Sequence, residues 1–535
     1  MSTLKQQSPA FNLSEEAIGK SAARWPEDIA IRILSPAKSS PLNPIISYSE
    51  LDKIIRQIAQ GLINHGAQKG DVILLRLNSD TPFALTFFAS IAAGLIPVPL
   101  SPQLTEAECS FFLKDTKARW VAHSSNLAFP NLADTRFKGQ QALINEAEIL
   151  NFIGGPALES YAPTKADDPA FIIYTSGTTN KPKAVLHAQR TIIGRRPMQQ
   201  DWHQIKRGDQ ILHAGDFNWT YTLGIGLMDP WVKGATACLY AGEKTPELWP
   251  RLIRENSISI FAAVPGIYRQ ILKYADFEKK YFAALRHCLT AGEAMPKTLA
   301  AEWQAKTGTP LYEALGQSEI STYISTTSGM TLPKGAKGRI QTGRKVAILS
   351  DQTNTQNENT LSKNAASSPL PPNTQGLIAV HKSDPGLMLG YLEDGTTINL
   401  PLEGEWFLTG DQGSIDEDGF LTHLGRADDI MNASGYRVSP DEVETALTSL
   451  PLVSEAAVTE ERISESLSII SAYVILNDPP ASSDETEAIE EIISKELATK
   501  LARYKRPKAY YFVSNLPRNR TGKVVRKELH SLKPD

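Results

Sequence analysis

The chain is short of cysteine, of charge imbalance and of long apolar runs. Its three cysteines, Cys109, Cys238 and Cys288, are far apart and follow no metal-ligand spacing. A disulfide framework and a cysteine metal site are therefore excluded, and the thiols fit a core in a reducing compartment, the cytoplasm. Lys and Arg total 55 against 59 Asp and Glu, a net charge of −4. Such a balance supplies no bulk attraction to nucleic acid or to an anionic membrane. The first residues, Met1-Ser-Thr-Leu-Lys-Gln-Gln, lack the apolar segment of a signal peptide. The one stretch long enough to compare with a membrane span is Phe83 to Leu100, but Gly94, Pro97 and Pro99 interrupt its second half. A buried helix over Pro82 to Ala93 followed by a short strand accounts for it better. No repeat of fixed period is present.

What the chain does have is ordinary globular composition and great length. Apolar residues make up 41% and charged residues 21%. At 535 residues one core is not enough, so two or more domains are expected. Up to about residue 165, helical patterns such as Tyr48 to Leu62 alternate with strand patterns such as Asp71 to Leu77. That alternation predicts a parallel sheet covered by helices, an α/β fold. A second α/β set follows, with strands expected over Ser257 to Val264 and Leu285 to Ala291 and a helix from Pro265. Residues 351 to 375 are polar and poor in large apolar groups, which predicts an exposed loop. A strand restarts at Gly376 to His381, and a separate domain is expected after about residue 428.

The most informative segment is Tyr174-Thr-Ser-Gly-Thr-Thr-Asn-Lys-Pro-Lys-Ala-Val185, directly after the apolar run Ala170 to Ile173. It predicts a buried strand running into a loop with hydroxyls at Thr175, Ser176, Thr178 and Thr179, a glycine at Gly177, and Lys181 and Lys183. Hydroxyls and backbone N–H groups donate, and lysines add positive charge, which suits a polyphosphate. The loop lacks the second glycine and Lys-Ser/Thr of a Walker A motif, and Pro182 argues against a helix starting there. A solvated connection of the same composition is the bland alternative.

The order of these residues resembles the signature loop of the adenylate-forming superfamily, which includes acyl-CoA synthetases, adenylation domains of peptide synthetases, and luciferases. Asn180 and Ala184 stand where that family usually has glycine. Asn tolerates the left-handed conformation, and Ala184 implies a negative φ. Further matches follow in the family's order: Gly292-Glu-Ala294, Gly316-Gln-Ser-Glu319, Thr409-Gly-Asp411, Gly425-Arg-Ala-Asp428, Ser434-Gly-Tyr-Arg437 and Arg520-Thr-Gly-Lys523. Each taken singly is a common turn, surface acid, salt-bridged linker or basic tail. Together they spread over nearly the whole chain.

The resemblance implies a large N-terminal AMP-binding domain, residues 1–427, of stacked α/β subdomains plus a β-rich subdomain. It also implies a small mobile α+β C-terminal lid, residues 428–535. ATP, Mg²⁺ and CoA are the implied cofactors. Thr175, Ser176, Gly177, Thr178, Thr179 and Lys183 would hold phosphates. Gly292, Glu293, Ala294, Gly316, Gln317 and Ser318 would border the adenine. Glu319 with Thr175 would hold the metal. Asp411, at a strand end, would accept the ribose hydroxyls, helped by Arg426. Asp428 would be the hinge, Ser434, Gly435 and Arg437 the thioester-forming face, and Lys523 the lysine that stabilises charge during adenylation. Ser439-Pro-Asp-Glu also predicts a helix start.

The acyl pocket is expected in Gly215 to Gly226, with Trp219, Tyr221, Gly224 and Tyr323 as wall residues. Core aromatic packing is the alternative for the three aromatics. These stretches look most like benzoate-CoA ligases and medium-chain acyl-CoA synthetases. Residues 215 to 226 contain no Lys or Arg, which makes a dicarboxylic substrate less suited. The expected activity is an ATP-dependent acid–CoA ligase acting on an aromatic or medium-chain monocarboxylate. The alternatives are a ligase loading a phosphopantetheinyl carrier protein, and an adenylate-binding protein without CoA chemistry.

Overall fold

Alternating helical and strand patterns in the first part of the chain build a four-stranded, all-parallel sheet. Its order is Ile96–Pro99, Val72–Arg76, Trp120–His123, Ala142–Asn145. The computed structural model describes residues 10–35, 42–130, 142–175, 182–350, 368–427, 429, 431–433, 436–464, 467–480, 482–518 and 524–533. The uncharged stretch resolves into helix Thr81–Ala92 and strand Ile96–Pro99. Phe83, Phe87 and Phe88 of that helix are buried, and Phe88 packs edge-on against Trp231. A helix apolar on all sides belongs in a core. No helix among the described residues is long and apolar enough to cross a membrane.

A second sheet runs parallel through Ile29–Ile33, Thr236–Leu239, Gln210–His213, Ile260–Ala262, His287–Ala291 and Leu311–Gln317, in that spatial order. From Gln210–His213 the chain goes first to one neighbour, Thr236–Leu239, and later to the other, Ile260–Ala262. The strand order therefore reverses at Gln210–His213. In open α/β sheets such a reversal opens a crevice beyond the carboxyl ends of the strands. The first strand, Ile29–Ile33, joins this second sheet rather than the nearer first one.

After Leu311–Gln317 the same sheet turns antiparallel, through Ser321–Ser325, Gly338–Ile340, Phe420–Arg426, Trp406–Ile415, Gly376–His381 and Val346–Leu349. Glu319 sits in the tight turn at that change of character. A separate antiparallel sheet pairs Pro169–Thr175, Lys183–Ala188, Gly390–Glu393 and Thr397–Asn399. Pro182 thus leads into a strand, not a helix, and Ala184 pairs with Tyr174 in that strand, outside the left-handed region.

Residues after Met431 build apolar clusters of their own, around Val438, Leu447, Val458, Val474 and Leu497. Helix Pro440–Thr448 starts as its sequence predicts: the Ser439 side chain accepts from the Glu442 N–H. Such a cap contributes about 1 kcal/mol. A three-stranded sheet, Val453–Ser464, Leu467–Leu476 and Ala509–Phe512, packs behind it with helix Ser483–Lys500. Among the described residues, ion pairs that reach this region from before residue 428 include His423–Asp441 at 3.0 Å and Arg269–Glu455 at 2.8 Å.

Candidate active site

Thr175 and Lys183 face each other as partners across the two strands that flank the hydroxyl loop. Ser176, Gly177, Thr178, Thr179, Asn180 and Lys181 lie outside the described residues, as do Asp428, Ser434, Gly435 and Lys523. For Arg437 only the backbone, in strand Tyr436–Val438, is described. Lys183 is exposed, and its Nζ stands 5.0 Å above the ring of Tyr391. That ring belongs to the next strand, where Tyr391 pairs with Val185. The Tyr391 hydroxyl donates to Glu319 Oε1 at 2.8 Å. Tyr391 therefore ties the hydroxyl-loop hairpin to the carboxylate expected to hold a metal. Burial, and then the charge of Glu319, keep the phenol protonated far above ordinary conditions.

Glu319 is almost fully buried, and its backbone carbonyl accepts from the Met388 N–H at 2.8 Å. Behind it, Ser321 adopts a left-handed backbone with φ +68°. Two buried Arg–Asp pairs fix this hairpin. Arg195 binds Asp229 through two hydrogen bonds, 2.8 and 2.6 Å, and donates to Ser321 Oγ at 2.8 Å. Arg344 binds Asp384 at 2.9 Å and donates to the Thr322 carbonyl at 2.7 Å. Burial opposes the charge on Asp229, yet the Arg195 guanidinium holds its carboxyl below the usual range. A carboxylate presented on so rigid a turn, with one oxygen already accepting from Tyr391, fits a hard cation that takes most of its ligands from water and phosphate.

The turn Gly292-Glu293-Ala294 follows strand His287–Ala291, and Gly292 has φ +94°. A side chain at Gly292 would meet the Trp219 ring at 3.4 Å. Glu313, in the neighbouring strand, anchors this turn by accepting from the Met295 N–H at 2.9 Å. Gly316 and Gln317 end that strand, and Ser318 opens the turn that carries Glu319. The carboxyl ends of two adjacent parallel strands thus bring the expected adenine border and the expected metal ligand together.

Asp411 differs from expectation in its local structure. It lies inside the ten-residue strand Trp406–Ile415, not at a strand end. The strand is irregular there: Gly410 has φ +78°, and the register shifts between Gln412 and Gly413. A Cβ at Gly410 would stand 2.7 Å from the Arg426 guanidinium. Its absence lets Arg426 donate to the Thr409 carbonyl at 2.9 Å and approach Asp411 at 3.4 Å. Asp411 and Arg426 are paired across the strands as the sequence order suggests. His423, unremarked in the sequence, stands between Asp411 (3.9 Å) and Asp441 (3.0 Å). Burial disfavours its charge, but the two carboxylates prevail and raise its pKa to about 9.

The expected acyl-pocket residues separate into two groups. Trp219 is half-buried beside Gly292. Tyr221 and Tyr323 are buried, Tyr221 with its hydroxyl on the Leu289 carbonyl at 3.0 Å and Tyr323 among Val185, Ile320 and Met388. At Gly224 a Cβ would fall 1.8 Å from Arg195 Nη2, so the glycine leaves room for the guanidinium. Tyr391, His423 and the Arg195–Asp229 pair were invisible to motif reading, because their partners lie in distant segments joined only by strand pairing.

Comparison with known proteins agrees with this arrangement. Residues 19–392 match the AMP-binding enzyme family and residues 442–523 match the AMP-binding enzyme C-terminal domain. The chain is 30% identical to the mitochondrial acyl-coenzyme A synthetase ACSM5 of Homo sapiens, over 91% of this chain and 84% of that one. It is 26% identical to the 3-hydroxybenzoate–CoA/4-hydroxybenzoate–CoA ligase of Thauera aromatica, over 99% of both. Among solved structures, a benzoate CoA ligase from Burkholderia xenovorans LB400 superposes with a TM-score of 0.79 at 25% identity, covering 97% of this chain and 99% of that one. With its turn carboxylate Glu319, its hydroxyl-loop hairpin and these full-length relatives, the chain belongs to the adenylate-forming AMP-binding enzyme family, among the acid–CoA ligases.

Proposed function

We propose that the chain activates an aromatic or medium-chain monocarboxylic acid and transfers it to CoA. A carboxylate oxygen attacks the α-phosphorus of ATP, and the bond to the bridging oxygen breaks as pyrophosphate leaves. The CoA sulfur, as thiolate, then attacks the acyl carbon, and the carbon–oxygen bond to AMP breaks. The observation that carries this reading is the convergence of Thr175, Lys183 and Glu319 through Tyr391, next to the Gly292 turn.

The residues take the following roles in this reading. Lys183 and the hydroxyl loop bind and orient phosphates by charge and donated hydrogen bonds. Glu319 and Thr175 would hold Mg²⁺, which when bound neutralises phosphate charge. Asp411 accepts the ribose hydroxyls, and Arg426 fixes its carboxylate. Lys523 stabilises negative charge during adenylation, and Gly435 and Arg437 serve the thioester step after rotation about Asp428, with residues 428–535 as the moving lid. The three buried cysteines suit a reducing compartment such as the cytoplasm.

Pyrophosphate release across aromatic, short, medium and branched acids, with and without CoA, tests the proposal. An acid that gives pyrophosphate, with AMP release accelerated by CoA, supports it. Acceleration by a phosphopantetheinyl protein instead of CoA would transfer the reading to carrier loading.

A further inference from the structure

His213 ends the strand Gln210–His213, at the point where the strand order of the parallel sheet reverses. It lines a small cavity there with Ser79, Phe217, Cys238, Tyr240 and Trp249. The cavity is continuous in packing with the expected acyl pocket. Gly292 borders Trp219, Trp219 packs edge-on against Tyr221 at 5.9 Å, and Tyr221 packs edge-on against His213 at 4.4 Å. The wall therefore runs from the adenylate side of the site to the imidazole.

Hydrogen bonding settles which nitrogen carries the proton. The Gly215 N–H donates to His213 Nδ1 at 2.9 Å, so Nδ1 presents its lone pair. Burial, then the nearby Lys244 charge, lower the ring's pKa to about 3, so it is neutral. A neutral imidazole with an acceptor Nδ1 carries its proton on Nε2. That Nε2–H is buried and meets no acceptor. Other polar groups of the same wall are matched. Cys238 Sγ lies 3.5 Å from Gln210 Oε1, and the Tyr240 hydroxyl donates to the Glu243 carbonyl at 3.2 Å. Ser79 Oγ accepts from the Phe217 N–H at 2.9 Å, and Lys244 pairs with Asp216 at 2.6 Å. An unmatched buried donor is destabilising, a penalty that binding an acceptor would remove.

We propose that His213 is a specificity-determining residue of the acyl pocket, donating from Nε2–H to a neutral acceptor at the end of the acid remote from its carboxylate. This rests on the ligase reading above. A ring hydroxyl, a ketone or an ether oxygen has the required chemistry. A second carboxylate does not: the imidazole is neutral, and the Lys244 cation near it is already paired with Asp216. The expected pocket takes no Lys or Arg from residues 215 to 226. Its polar contact comes from the strand before that segment.

Matched pairs of acids test the proposal by kcat/KM for pyrophosphate release. Suitable pairs are benzoate against 3- and 4-hydroxybenzoate, and hexanoate against 5-oxohexanoate. Wild-type enzyme should prefer the acceptor-bearing member of at least one pair by about tenfold or more. His213→Phe should collapse that ratio, and His213→Gln, which keeps an N–H, should restore part of it. An equal ratio in wild type and His213→Phe, or no preference in any pair, overturns the inference while leaving the ligase reading intact. If no acid releases pyrophosphate, the ligase reading itself fails. Should His213→Phe fold poorly by its melting curve, the wild-type ratios and His213→Gln decide the matter.

Discussion

Replacing Gly224 by alanine separates a packing role from a pocket role at this position. The added Cβ would stand 1.8 Å from Arg195 Nη2 and 2.1 Å from its Cζ. The guanidinium is the far end of a flexible side chain, but it has nowhere inexpensive to go. Its side chain is 4% exposed, Asp229 is fully buried, and three hydrogen bonds hold the group to Asp229 and Ser321. Moving it breaks a buried pair and leaves Asp229 uncompensated, which costs about 3–5 kcal/mol. At about 2.1 cal/mol/K per residue over roughly 400 cooperating residues, that corresponds to a fall in Tm of about 4–6 °C. Thermal unfolding by circular dichroism measures it. Pyrophosphate release should fall for every acid alike, because the loss acts through the hairpin that presents Glu319. When the pair is already removed by Arg195→Met with Asp229→Leu, adding Gly224→Ala should cost less than about 1 kcal/mol. A variant with wild-type Tm and an altered preference among acids would refute the reasoning and return Gly224 to the substrate wall.

Further outcomes follow from the same geometry. His423, raised to about 9 from an ordinary 6.5 between Asp411 and Asp441, contributes stability that is complete below about pH 6.5 and disappears as pH rises through about 9. The Tm difference between wild type and His423→Phe should therefore shrink across that window; a constant difference would show that the imidazole is not charged there. Tyr391→Phe removes the hydrogen bond on Glu319 but keeps the ring under Lys183, so it should lower kcat/KM for MgATP by about tenfold with little change in Tm, measured by pyrophosphate release and melting. Lys523→Ala should abolish pyrophosphate release yet spare thioester formation from supplied acyl-adenylate; equal loss of both would count against alternation of the lid. Cys109, Cys238 and Cys288 are buried, with burial raising all three thiols. They should react with a chromogenic disulfide only after denaturation, and rapid native labelling would contradict the packing.

Much of the architecture was legible because local patterns and local structure coincide. Helix Tyr48–Asn64, strand Val72–Arg76, helix Pro265–Tyr274 and strand Gly376–His381 carry periodicities that no distant contact has to overrule. Pro182 argued correctly against a helix after the hydroxyl loop, and Ala184 for a negative φ, since both constraints act locally; that the segment is a strand came from the structure. Motif order likewise gave the family, which the match of residues 19–392 to the AMP-binding enzyme family shows.

Tertiary structure decided what depends on separations that sequence cannot measure. Asp411 lies in the middle of a strand that continues through the left-handed Gly410 and a register shift after Gln412. Gly224 gives up a side chain where Arg195, almost thirty residues earlier, needs the space. Tyr391 reached Glu319 across a sheet pairing, and His423 found Asp441 from beyond the proposed hinge. His213 looked like any strand residue until the strand order reversed beside it. The sequence by itself determined the chemistry available and the order in which the chain delivers it. Only the packed sheets determined which of those groups meet, because hydrogen bonds and ion pairs act over a few ångströms and carry no memory of chain distance.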